Sequence, residues 1–259
     1  MPCTFSHPLA VVPLRRFCPE RLNFSALVIG SMSPDFGYYV RQFRLAGFAH
    51  TMLGSFAVCL PSGLLAVGLF YLLRQPLCFI LPQPHRAAVM PLALRQPAFS
   101  LSAFLVTAVC VLLGAWTHSI WDSFTHDGGW AVQHFAVLRV SIVHAGVTAL
   151  PLSYVLQQAS TFGAGALLVV LYLRWLRRQR RASEPESVSD RWRYVLVAVC
   201  ALVAVAFAVP AAHRLASVFE GYLAFRVFVF RTGVYSAGVF ISLLVFSSVV
   251  LYVVHRRST

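Results

Sequence analysis

Ala98-Phe-Ser-Leu-Ser-Ala-Phe-Leu-Val-Thr-Ala-Val-Cys-Val-Leu-Leu-Gly-Ala-Trp-Thr117 contains no charged residue, and His118-Ser-Ile-Trp-Asp-Ser-Phe-Thr-His126 continues it. An uncharged run of this length matches the ~20 residues a helix needs to cross a ~30 Å hydrocarbon core. Carried on as one helix, the sequence sets His118, Asp122 and His126 on a single stripe, because residues four apart lie one above the other. The stretch therefore reads as a membrane-crossing helix that ends in ligand-type side chains.

Four further uncharged stretches have similar length: 51–73, 151–173, 194–212 and 232–254. The whole chain of 259 residues is 59% hydrophobic and 11% charged, with a mean hydropathy of +0.74. Soluble domains carry about 25% charged residues, so this composition indicates an all-α, polytopic integral membrane helical bundle with five spans. No long stretch alternates at period two, which argues against a β-barrel. Residues 22–34 are apolar, too short to span, and run into Asp35. They are expected to form a re-entrant or interfacial helix, or a sixth crossing if extended through Tyr38, Tyr39 and Val40. Residues 1–150 are expected to carry the polar cluster with the first two spans, and residues 151–259 the other three.

A net charge of +13 would suit nucleic acid, but the arginines sit in the connections between apolar runs, where they act as topology signals. Nucleic acid is therefore not an expected partner. Residues 174–193 hold seven Arg and are placed in the cytoplasm, with 182–189 read as a solvated loop. Alternation then puts 127–150 outside, and with it the end of the second span. The N-terminal segment carries five Arg outside, a discrepancy that a dipping segment at 22–40 resolves by returning Arg15, Arg16 and Arg21 to the cytoplasm. The opening residues Met1-Pro-Cys-Thr-Phe-Ser-His7-Pro8 lack the pattern of a cleavable signal peptide. Six cysteines form no CxxC pair, and Cys59, Cys110 and Cys200 read as small apolar fillers within spans.

The first two spans form a hairpin, which brings His50, at the start of one, to the same face as His118, Asp122 and His126, at the end of the other. His7 and Asp35 reach that face if the N-terminal segment folds over it. His and Asp are ordinary ligands for zinc-like ions. The expected metal ligands are therefore His7, Asp35, His50, His118, Asp122 and His126, holding a divalent metal, zinc first among them. Asp122 or Asp127 is the candidate catalytic base, or a partner that orients a histidine. The bland alternative is that interfacial His and Asp only cap helix ends and contact headgroups. Ionisable groups within the hydrophobic reach of a span favour function. His85, His134, His144, His213 and His255 stand alone. Ser119, next to His118 on a helix, cannot face it, so no catalytic triad is indicated. No phosphate-binding glycine loop is present, and Gly163 and Gly165 read as packing residues.

Thr4-Phe-Ser-His7-Pro8, Gly30-Ser-Met-Ser-Pro-Asp35-Phe36, Ala49-His50-Thr51 and His118-Ser-Ile-Trp121-Asp122-Ser-Phe-Thr-His126 occur in that order. Together they resemble the bacterial membrane family called domain of unknown function 4184, over nearly the whole chain. More distantly, Gly47-Phe-Ala-His50-Thr51 is similar to the Gly-x-x-His segment of membrane-bound metal-dependent hydrolases. Those are in turn similar to zinc-dependent phospholipase C, which has His and Asp four apart on a helix, as at His118 and Asp122. Before residue 184 the only Glu is Glu20, so the Glu ligand of a trinuclear zinc site has no counterpart in the cluster.

These readings point to a metal-dependent hydrolase in the bacterial inner membrane. It would act at the extracytoplasmic interface on a phosphoester or lipid-like substrate, with membrane lipid as its surroundings. A non-enzymatic membrane protein with a structural or metal-binding polar cluster is the alternative. A transporter ranks third, because the last three spans hold no ionisable residue along a pathway.

Overall fold

The structure is a computed structural model that describes residues 4–17, 22–95, 100–145, 148–180 and 190–258. Cys3, Cys18, Glu20, Arg21, Ala98 and the expected solvated loop at 182–189 lie outside the described residues. The chain is almost wholly helical. A 3-10 helix at Thr4–Val11 leads into α1 (Val12–Phe17), followed by α2 (Phe24–Gly30), a 3-10 turn at Ser33–Asp35, α3 (Phe36–Tyr39) and α4 (Phe43–Ala49). The first long helix comprises α5 (Met52–Gly54), a π-helical turn at Ser55–Cys59 and α6 (Leu60–Phe79). Then come α7 (His85–Leu94), α8 (Leu101–Thr125), α9 (Trp130–His134), α10 (Leu152–Arg180), α11 (Arg191–Ala216) and α12 (Gly221–Ser258).

Five helices are long and apolar enough to cross a membrane: Met52–Phe79, Leu101–His134, Leu152–Gln179, Arg191–Ala216 and Gly221–Ser258. They cover all but the first one to three residues of the expected stretches 51–73, 98–117 and 151–173, contain 194–212 and 232–254, and run past the end of each. Helix propagation continues past the last apolar residue wherever no breaker intervenes, and hydropathy alone does not register that. α8 runs without interruption through His118 and Asp122 to Thr125, and Ser100 caps its start by accepting from the Ala103 amide. Ser141–Ala145 and Thr148–Pro151 pair as a two-stranded antiparallel ribbon, where no strand is expected from the sequence.

The chain forms two compact units. One comprises residues 1–37, 42–68 and 98–175. In it the N-terminal segment packs along α8. The Asn23 side chain caps α2 and also donates to Thr107 Oγ1 at 3.0 Å. Thr107 is six residues into α8, roughly 9 Å from its first turn. From there α2 climbs beside α8 until Ser33–Asp35 lies at the level of His118. Two glycines permit this close approach. A Cβ on Gly30 would fall 2.3 Å from Val111 O, and one on Gly114 would fall 2.4 Å from Leu27 O. Small residues let helix backbones touch within a membrane, where packing rather than water exclusion drives association. Ala49, Cys59 and Ala115 form a second small-residue contact that seats α4 and the π turn on α8. Trp116 Nε1 donates to Ser55 Oγ at 3.2 Å, closing the hairpin of the first two spans.

The other unit comprises residues 38–41, 69–97 and 176–259. Its body is the hairpin of α11 and α12. Asp190 and Arg193 pair at the start of α11. Arg193 Nε donates to Phe79 O at 3.1 Å and Tyr194 Oη to Gln83 O at 3.0 Å, fixing the connection after α6. Cys59, Cys78, Cys110 and Cys200 are all free and buried, in keeping with apolar fillers.

Candidate metal centre

Each wall of the site is placed by the packing just described. His50 follows α4, and its Nδ1–H donates to Ala46 O, one turn back, at 2.7 Å. His118 sits on α8, and its Nδ1–H donates to Ser31 O at 2.8 Å. That carbonyl is in reach because Gly30 lets α2 press against Val111. Backbone acceptors at both Nδ1 atoms fix the tautomers, so each Nε2 turns its lone pair inward. The two Nε2 atoms face each other across 3.2 Å.

The carboxylates complete the figure. Asp35 Oδ1 lies 3.5 Å from His50 Nε2 and 3.6 Å from His118 Nε2. Asp122 Oδ2 lies 3.5 Å from His50 Nε2 and 3.4 Å from His118 Nε2. These distances are five of the six edges joining the four atoms, and all fall between 3.2 and 3.6 Å. Tetrahedral zinc with ligand distances of ~2.0–2.1 Å spaces its ligand atoms about 3.3–3.4 Å apart. Asp35 and Asp122 thus each lie at ligand-to-ligand spacing from both histidines, and the donors have the chemistry of an N/O metal site.

His7 adds a further donor. Its ring stacks on that of His118, with centroids 3.6 Å apart, and its Nε2 lies 3.5 Å from Asp122 Oδ1. His7 Nε2, Asp35 Oδ1 and Asp122 Oδ1 are all buried with no hydrogen-bond partner. Leaving such groups unsatisfied costs about 1–3 kcal/mol each. A cation among them would satisfy all three. Two overlapping trios have the proximity to hold an ion: His7, Asp35 and His118, and His50, His118 and Asp122. Both include His118, whose Nδ1 is already engaged, so its Nε2 serves a single ion.

Burial pushes the Asp35 carboxyl above its usual 3.8, outweighing the opposing pull of His118, the Thr4 hydroxyl and His50. Burial likewise lowers His7 from 6.5 to about 3, aided by the neighbouring His118. His7 is therefore neutral at ordinary pH, the form that ligates metal.

The structure brings together five of the expected ligands, His7, Asp35, His50, His118 and Asp122. His126 lies beside them, with Nδ1 3.5 Å from Asp122 Oδ2. Both of its ring nitrogens are engaged: Nδ1 with Asp122 O at 3.1 Å, and Nε2 with the Gln157 amide at 3.2 Å. Asp127 is exposed in the turn after α8, away from these contacts. Two supporting side chains had no signal in the sequence. Thr4 Oγ1 donates to Asp35 Oδ2 at 2.5 Å, and Gln157 reaches His126 from α10. Thr4 lies in the quoted N-terminal motif, but nothing in its type or spacing points to Asp35.

The chain matches, over residues 1–250, the family described as Domain of unknown function (DUF4184). This protein belongs to the DUF4184 family. Comparison with curated proteins and with solved structures returned no match. The four motifs that lead to the DUF4184 resemblance supply all five donors of the cluster, so the features that mark this DUF4184 member converge on one site.

Proposed function

We propose that this DUF4184 protein binds zinc or a similar divalent ion through His50, His118, Asp35 and Asp122. On this reading it is a membrane-bound metal-dependent hydrolase, acting at the extracytoplasmic face of the bacterial inner membrane on a phosphoester or lipid-like substrate. The observation that supports the metal assignment is the close approach of His50, His118 and Asp122, all within 4.8 Å of one another, with Asp35 3.5 and 3.6 Å from the two histidines. A bound divalent ion supplies Lewis acidity and brings the pKa of a coordinated water to about 7. His7 Nε2 and Asp122 Oδ1, both buried and without a hydrogen-bond partner, would orient a water beside the ion, with the Asp122 carboxylate the group that would take its proton. The net step adds water across the ester bond, releases an alcohol that takes up one proton, and leaves an acid.

A second reading rests on the same geometry. Structural zinc sites fill every position with protein ligands, whereas catalytic sites keep one open, and the cluster has enough His and Asp donors to fill them all. Elemental analysis of the purified protein beside His118→Ala and Asp122→Ala, followed by a phosphoester panel, separates the readings. The metal assignment fails if wild type holds no stoichiometric transition metal or if both variants keep full content. Tightly held metal with no turnover on any ester favours the structural site.

A further inference from the structure

Beside the cluster is a cavity of about 550 Å³ between the N-terminal 3-10 helix, α8 and α10. That is within the ~300–1,000 Å³ of small-molecule sites. Leu9, Ala10, Ile120, Trp121 and Ala164 supply its apolar walls, and His7 closes one side. Three hydroxyls also line it, and each is engaged by the fold itself. Ser6 Oγ donates to Thr161 O, Thr117 Oγ1 to Gly114 O, and Ser160 Oγ to Gln157 O while accepting from Trp121 Nε1. The cavity therefore offers hydrocarbon to its occupant along nearly its whole length. The exception is the His7 side, where the imidazole that lines the cavity is stacked on His118 of the cluster.

Two of the three walls belong to helices long and apolar enough to cross a membrane, so hydrocarbon chains are the apolar molecules those helices would meet. Ile120 is 61% exposed and Trp121 41% exposed, although apolar chains of that size would be covered by a tightly packed neighbour. From these observations we infer that the cavity seats one hydrocarbon chain of a membrane lipid, with the lipid's polar head carried past His7 to Asp122 and the paired histidines. This rests on the hydrolase reading above and narrows it: the ester that is cleaved belongs to a lipid, not to a soluble phosphoester. Water adds at the head-group ester, the bond to the leaving alcohol breaks, and the chain stays in its seat while the head departs.

The test uses full-length protein in vesicles containing a phosphatidylglycerol with a diazirine on one acyl chain. Illumination should crosslink the probe to peptides containing Ile120, Trp121 or Ala164. Ala164→Trp fills the cavity from α10, and Ile120→Trp fills it from α8. Each should keep wild-type metal content and reduce the crosslink at least tenfold. Labelling spread evenly over all lipid-facing helices, or a crosslink unchanged in both variants, overturns the inference. So does protein–protein crosslinking through these residues, which would mean that a second copy fills the cavity. The hydrolase reading fails separately, if the specific crosslink is present but wild type cleaves no phosphoester.

Discussion

His50 and His118 point their Nε2 atoms at each other across 3.2 Å while each Nδ1 donates to a main-chain carbonyl. At that distance the two nitrogens share either a proton or a metal ion, since two bare lone pairs would repel, and Asp35 and Asp122 flank the gap. The arrangement is set by three backbone segments far apart in the sequence, at Ser31, residues 46–50 and His118.

If His50 is a ligand and His126 a support, their removal should differ. His50→Ala is expected to abolish stoichiometric zinc. His126→Ala should retain it with an affinity loss of about 10–100-fold, the usual cost of removing an outer partner. Competition with a chromophoric chelator measures both. Equal, complete loss in the two variants would place His126 among the ligands.

Gly30→Ala should damage the site without touching a donor. Its Cβ would fall 2.3 Å from Val111 O, so α2 must move away from α8 and take Ser31 O from His118. The expected cost is about 1–3 kcal/mol from overpacking, with weakened zinc affinity as His118 loses its orienting acceptor. Thermal unfolding in detergent and chelator competition test this together. Wild-type values in both would show that the helix contact is slack.

Thr4→Val is nearly isosteric and removes the donor to Asp35 Oδ2. Hydrogen bonds to charged groups contribute about 1.5–3 kcal/mol, and zinc binding requires Asp35 ionised. The variant should bind zinc at least tenfold more weakly, whereas Thr4→Ser should restore most of the affinity. A valine variant with unchanged affinity would remove Thr4 from the site.

The metal-free protein should show a distinctive pH dependence. Asp35 is raised above 3.8 by burial, so its contribution to stability is complete below that value and is lost as pH rises through the folded value. His7 acts in the opposite direction: with a folded value of about 3 against 6.5, it loses stability as pH falls below 6.5. Asp35→Asn should therefore flatten the alkaline side of the metal-free stability profile and leave the acidic decline. Saturating zinc, at about 100 times its Kd, should add about 2.7 kcal/mol to wild type and much less to the variant. Unfolding midpoints from about pH 4 to about pH 8 provide the check. An unchanged profile would mean that Asp35 is hydrated.

Much of this was legible in the chain. The five spans follow from apolar runs of bilayer length, and the stripe at His118, Asp122 and His126 follows from helical periodicity. The hairpin of the first two spans brings His50 toward His118 by topology alone. The N-terminal segment was only partly legible. Its apolar stretch of 13 residues allows a dip or a crossing, and its packing on α8 depends on Gly30 and Gly114 facing each other, a coincidence between positions 84 residues apart.

Apolar run lengths and helical periodicity are enough to make this a helical membrane protein whose donors gather toward one end of the first two spans. Both are local properties, fixed by the cost of placing charge in hydrocarbon and by the 3.6-residue turn. Only the tertiary structure decided which donors share a centre. Sub-ångström agreement among distances such as 3.2, 3.4 and 3.6 Å comes from helix contacts and carbonyl acceptors far apart in the chain. The same packing separates His126, whose nitrogens are already engaged, from His7, which the stripe on α8 could not foresee and which stacks directly on His118.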